Sequence, residues 1–181
     1  MKLVLLATSN ERKIGEARLA CDMFNIKIRP IKITINEIQS HNPKIITKDK
    51  AEKAFTIIKK PIVVTDTFWN ITSLNGFPGG YMKDIVEWFD STDFINLVKN
   101  KKDKGVSFTE SIVYKDSRRE KSFSKEFWGV ITNKPRGAGN SIENVAEFDG
   151  VTLGERRARG GFSHKPKDYI WYDFAKWFSK L

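Results

Sequence analysis

The chain has 181 residues, a length suited to one domain, and its 40% hydrophobic content with 13 Phe and 5 Trp is ample for a core. Its 32 Lys and Arg against 22 Asp and Glu leave a net charge of +10, which points either to polyanionic partners such as nucleotides or nucleic acid, or to a lysine-rich solvated surface. The single cysteine, Cys21, excludes an internal disulfide and a thiolate zinc cage; no apolar run reaches the roughly 20 residues that span a bilayer, and a cytosolic location fits best.

In chain order, Met1 to Ala7 (MKLVLLA) reads as a buried first strand and not as a signal sequence, because its apolar stretch is short and leads directly into Thr8-Ser9-Asn10. A helix opens after it, with Ile14, Ala17, Cys21 and Phe24 at amphipathic spacing. Ser9 or Asn10 suits its N-cap, and Lys13 stands on its first turn. The free amides and dipole of such a helix start attract phosphate; the same residues serve equally as an ordinary cap and a solvated lysine. A glycine-rich phosphate cradle is missing.

Ile26 to Ile35 (IKIRPIKITI) alternates as two short strand pieces around Pro30, a pattern suited to a sheet edge. It leads to Asn36-Glu37-Ile38-Gln39, where Glu37 is a carboxylate at a strand end or a surface acid. Thr47 to Lys59 reads as a helix with Ala51, Ala54, Phe55 and Ile58 on its apolar face, Lys48, Lys50 and Lys53 off it, and Pro61 as its stop. The β-branched run Pro61 to Val64 then brings Asp66 to a strand end that meets water. Ligands of open α/β sheets collect at such ends, and an Asx turn uses an aspartate there too.

Past the turn Gly76 to Gly80, two helices are expected over Lys83 to Phe89 and Ser91 to Lys99, the second capped by Ser91 and packed through Phe94, Leu97 and Val98. Val106 to Tyr114 and Lys121 to Ile131 suit a hairpin around the polar turn Lys115 to Glu120. A turn is expected over Pro135 to Asn140, little periodicity is visible from there to Glu155, and Arg156 to Gly161 reads as a basic loop. Pro166 opens a terminal helix whose stripe of Ile170, Phe174, Trp177, Phe178 and Leu181 belongs to the core.

Several short motifs stand in order along nearly the whole chain. They are Ser9-Asn10-Glu11-Arg12-Lys13, Asn36-Glu37-Ile38-Gln39, Lys53-Ala54, Thr65-Asp66-Thr67, Leu74-Asn75-Gly76-Phe77-Pro78-Gly79-Gly80-Tyr81, Pro135-Arg136-Gly137, Asp149-Gly150 and Ser163-His164. Together they resemble the SNxxK, PEIQ, KA, EDT, LNGxPGxY, PRG, PDG and SHR motifs of the inosine triphosphate pyrophosphatase family, enzymes that remove non-standard purine nucleotides. The resemblance implies an α/β fold in one domain over residues 1–181: an elongated mixed central β-sheet flanked by helices, with two lobes around a central cleft. It implies a homodimer that cleaves a nucleoside triphosphate to the monophosphate and pyrophosphate with Mg²⁺. Asp66 and Lys13 would be catalytic, and Glu37 and Asp66 would hold the metal. Ser9, Asn10, Lys13, Lys53, Thr67, Gly79, Ser163, His164 and Lys165 would bind the substrate.

Three departures from the family pattern stand out. Thr65 replaces the Glu before the catalytic Asp, removing one negative charge from the metal site. Asn140 to Val145 replaces the base-reading GFGYDP segment, and Lys165 replaces the Arg of SHR, a point charge for a planar fork. These departures imply a redirected base preference, or a catalytically lapsed member that binds nucleotide or nucleic acid through its basic surface. A Maf-like pyrophosphatase is the nearer alternative, and the Leu74 to Tyr81 loop argues against it.

Overall fold

The computed structural model describes residues 2–40, 42–160 and 165–181. Its strands are β1 (Lys2–Ala7), β2 (Ile26–Ile31), β3 (Ile62–Ile71), β4 (Pro78–Gly79), β5 (Gly105–Lys115), β6 (Glu120–Ile131), β7 (Ala146–Phe148) and β8 (Val151–Thr152). The helices are α1 (Glu11–Cys21), α2 (Pro43–Ile58), α3 (Met82–Trp88), α4 (Ser91–Val98), α5 (Leu153–Ala158) and α6 (Ile170–Phe178). The strands form a mixed sheet in the order β2-β1-β3-β5-β6-β7-β8, with β4 on β3. β1 pairs parallel with β2 and β3, whereas the β3–β4, β6–β7 and β7–β8 pairs are antiparallel. This is the mixed α/β architecture expected from the sequence.

The chain gathers into two compact units: described residues 2–66, 110–125 and 165–181 form the first, and 67–109 and 126–160 the second. In the first unit, strand alternation sorts the core onto two faces. Val4, Leu6, Val63, Ile112 and Tyr114 cluster with α1 and α6, and Ala7, Ile62, Val64 and Val113 cluster with Ala51 and Ala54 of α2. β1 and β3 are therefore covered on both sides, which explains their unbroken apolar runs.

Several boundaries differ from expectation for identifiable reasons. α2 starts a turn before Thr47, because Asn42 caps it and Pro43 fills a first-turn position where no N–H is needed. It ends at Lys59 in the left-handed region (φ 56), ahead of Pro61. β2 carries Pro30 at the sheet edge, but Ile33 and Ile35 pack onto the α2 side without a second strand. A one-turn 3₁₀ segment occupies Pro166–Asp168, and α6 begins only at Ile170. Trp171 is buried in place of the expected Leu181, which lies exposed beyond the helix. Most important for function, β3 continues to Ile71, so Asp66 stands inside the strand and not at its end. Trp69 and Asn70 pair with Gly79 and Pro78 of β4, and this ladder sustains the strand beyond Asp66.

The second unit packs α3 and α4 with Trp69, Phe108, Ile142, Phe148 and Leu153. Asp90, not Ser91, caps α4, in a reciprocal box with Asp93. The Ser91 hydroxyl donates to Ser141 O at 2.8 Å, and Leu97 lies at the surface. The supposed basic loop begins as α5, capped by Thr152 and Glu155. Arg157 pairs with Glu143 at 3.0 Å and Arg156 donates to Phe148 O at 2.7 Å, so both cations brace this unit. The glycine of the Pro135-Arg136-Gly137 turn is set by geometry: its φ is +94, and a Cβ would stand 2.0 Å from the Gly154 carbonyl carbon. Gly150 shares the left-handed backbone (φ +78) but has open space around it. Gly150→Ala should therefore cost only backbone strain, about 1–2 kcal/mol. Gly137→Ala should lower the melting temperature several times further, as thermal denaturation of both variants would show.

Candidate active site

β1 stops at Ala7, and Thr8-Ser9 lead into Asn10, whose Oδ1 accepts the backbone N–H groups of Arg12 and Lys13 at 3.0 and 3.3 Å. Those two amides are thus engaged by the cap, and the donor that Asn10 keeps for a ligand is its side-chain amide. β3 pairs with β1 at Leu5–Ile62 and Leu6–Val63, so β1 runs out opposite Val64 and Asp66 projects past its carboxyl end. Lys13 reaches this point from α1. Its Nζ lies 3.5 Å from Asp66 Oδ1 and donates to Thr65 O at 3.4 Å. Lys50 arrives from α2 and donates to Asp66 Oδ2 at 3.2 Å and to Glu37 Oε1 at 2.6 Å. A cavity of about 180 Å³ adjoins these groups, lined by Ser9, Lys32, Glu37 and Lys50 among others.

The two ammonium groups differ in character. Burial pulls the Lys13 pKa down; Asp66 opposes this, the positive charges of Lys50 and Arg12 reinforce it, and the net direction is down. Burial also acts against Lys50, but Asp66 and Glu37 together outweigh it and its pKa rises. Lys50 is therefore a firmly held cation between two carboxylates, and Lys13 is a buried cation short of negative charge. An anionic oxygen arriving at Lys13 would supply what it lacks. A wider hollow of about 730 Å³ in the second unit is lined by Lys104, Arg136 and Glu147 among others. There Arg136 is bound to Glu147 and Lys104 donates to Asn133 Oδ1 at 2.8 Å, and no carboxylate pair with a shared ammonium lies among its lining residues.

Of the residues expected at the site, Lys13, Glu37 and Asp66 come together, with Ser9 lining the adjoining cavity and Asn10 at the start of α1. Lys53 lies elsewhere on α2, bonded to Asn36 O at 2.8 Å and to Asp49 at 2.7 Å. Thr67 and Gly79 belong to the second unit, Lys165 is exposed, and Ser163 and His164 lie outside the described residues. The motif pattern does not single out Lys50. The sequence holds the Lys-Ala dipeptide twice, at Lys50-Ala51 and Lys53-Ala54, and only the first lysine points at Asp66.

Among the described residues no group of three or more His, Cys, Asp or Glu is arranged to hold a metal ion. Glu37 and Asp66 nevertheless bracket one position, now filled by the Lys50 ammonium. Two carboxylates are the share that Mg²⁺ commonly takes from protein when phosphate oxygens and water complete its octahedron, so the donor set fits a metal that arrives with a polyanion.

Residues 4–143 match the sequence pattern of the Ham1 family. The chain belongs to the Ham1 family. A relative from Methanosarcina mazei, named dITP/XTP pyrophosphatase, is 26% identical over 98% of both chains. Another relative of that name, from Hyperthermus butylicus, is 25% identical over 92% of this chain and 90% of its own. The fold agrees with that of a HAM1 protein from Coxiella burnetii, with a TM-score of 0.81 and 17% identity over 100% of both chains.

Proposed function

We propose that this Ham1-family chain is a nucleoside triphosphate pyrophosphatase, acting on non-canonical purine triphosphates of the dITP and XTP kind and releasing the monophosphate and pyrophosphate. The observation that carries the reading is the convergence of Lys13 and Lys50 on Asp66 beside the Glu37 carboxylate. Hydrolysis between phosphates demands fixed cations for a polyanion and a carboxylate that receives a proton from water. Lys13 supplies the first, since a phosphate oxygen relieves its burial better than Asp66 at 3.5 Å does. As Lys13 turns to phosphate, the Asp66 carboxylate is released from one of its ammonium partners. In the free protein Lys50 keeps Asp66 and Glu37 oriented around the position they bracket. Glu37 and Asp66 would hold Mg²⁺, which when bound neutralises phosphate charge and lowers the pKa of water. Lys53, close to Asn36, is left a secondary role at most.

The proposal extends to both units working as one catalytic domain, in a homodimer located in the cytosol, with nucleic acid not a favoured partner. The single domain and the homodimer rest on the family resemblance, the cytosolic location on the single cysteine, and the low rank of nucleic acid on a lysine-rich surface. A panel of ITP, XTP, dUTP and the standard triphosphates, followed by pyrophosphate release, tests the activity. Release from ITP and XTP, abolished by a chelator and restored by Mg²⁺, is expected. A protein that cleaves no nucleotide in the panel would sink the reading.

A further inference from the structure

The charged groups of the candidate site balance one another in the free protein. Lys13 and Lys50 meet Asp66 and Glu37, two ammonium groups against two carboxylates, at 2.6 to 3.5 Å. Thr65, next to Asp66, adds no charge, and its carbonyl oxygen accepts from Lys13 at 3.4 Å. Lys32 lines the adjoining cavity and adds positive charge. A bare dication entering this set therefore meets no surplus of negative charge to hold it. The position between the carboxylates is also taken: the Lys50 ammonium stands 3.2 Å from Asp66 Oδ2 and 2.6 Å from Glu37 Oε1.

We propose that the Lys50 ammonium holds the place of the divalent metal in the free protein: it keeps Mg²⁺ out of the bracket of Glu37 and Asp66 until the phosphates of a nucleotide draw it away, so that metal and nucleotide bind together. The inference rests on the reading of Glu37 and Asp66 as the metal ligands. A triphosphate brings more negative charge than one Mg²⁺ neutralises, and Lys50 then leaves the bracket for a phosphate oxygen. Only its side-chain torsions need change, because the ammonium rides on a flexible four-carbon stem and the cavity of about 180 Å³ that Lys50 lines gives it room. Once there, it is a fixed cation for phosphate, so removing it tightens the metal in the free protein while costing turnover. The coupling is reciprocal: the factor by which nucleotide favours metal is the factor by which metal favours nucleotide.

Titration of the nucleotide-free protein with Mn²⁺, the free ion read by electron paramagnetic resonance, measures the exclusion directly. Lys50→Met, similar in length and uncharged, should bind Mn²⁺ about tenfold more tightly than the wild type or better, the effect of taking one like charge out of the metal position. Lys50→Arg keeps a cation between the acids and should stay as weak as the wild type. Adding Glu37→Gln to Lys50→Met should abolish the gain, which assigns it to this bracket. Equal Mn²⁺ affinity in the wild type and Lys50→Met, weakened in both by Glu37→Gln, overturns the exclusion and leaves the metal site standing. A Lys50→Met protein whose Mn²⁺ binding ignores Glu37→Gln removes the metal reading of the two acids and the inference with it. The wild-type protein answers without Lys50→Met through ¹⁵N NMR of its lysine ammonium groups, with Lys50 identified by the Lys50→Arg spectrum. The Lys50 signal should hold still with Mg²⁺ alone and shift when Mg²⁺ and α,β-methylene-ITP are added together. A shift with Mg²⁺ alone, or none with both, overturns the proposal.

Discussion

Asp66→Asn should lower kcat for inosine triphosphate by about 10³-fold, within the range that a positioned proton acceptor supplies, and should leave KM unchanged or lower. The direction of the KM effect follows from the geometry. Asp66 holds Lys50 at 3.2 Å and Lys13 at 3.5 Å, so in the free protein it competes with phosphate for both ammonium groups. Lys13 and Lys50 sit on different oxygens of Asp66, so an Asn of the same shape accepts from one of them and turns its NH₂ to the other; some stability is lost, but the site borders a cavity and the fold should persist. The Asn cannot accept the proton of water, and it no longer competes as an anion. Steady-state pyrophosphate release gives kcat and KM separately, and thermal denaturation checks the fold. A variant with normal kcat and a raised KM would reduce Asp66 to a binding group.

The first-unit fold was legible because its strands are buried on both faces and announce themselves as apolar runs, as in Val4 to Ala7 and Ile62 to Val64. The β3 boundary was not. Asp66, Thr67 and Asn70 break the apolar run, and only the pairing of Trp69 and Asn70 with β4, set by the Gly76 to Gly80 turn, shows that the strand continues. β7, β8 and α5 have 3, 2 and 6 residues, too few for periodicity, so Arg156 and Arg157 looked like loop charges although they brace the second unit. Glu110 left a readable signal: an acid in the inward series Val106, Phe108, Glu110, Ile112, Tyr114. Such a break in alternation marks a group with work to do or a cost to carry.

The choice between Lys50 and Lys53 could not be made from spacing, because both precede an alanine and both lie off the apolar face of one helix. The structure separates them. Lys50 touches both Glu37 and Asp66, with a side chain only 15% exposed. Lys53, 38% exposed, pairs with Asp49 one turn earlier, an interaction worth a few tenths of a kcal/mol on a helix surface. Lys50→Ala should therefore cut kcat/KM by about 10²-fold, the effect of removing one preorganised charge at a site of phosphate chemistry. It leaves Glu37 and Asp66 facing each other without their shared cation, so the loss should fall on kcat and KM together. Lys53→Ala should change kcat/KM by less than about threefold, consistent with a surface ion pair. Measured side by side, the reverse order of losses would return the phosphate role to Lys53-Ala54 and leave Lys50 as a structural brace between two acids.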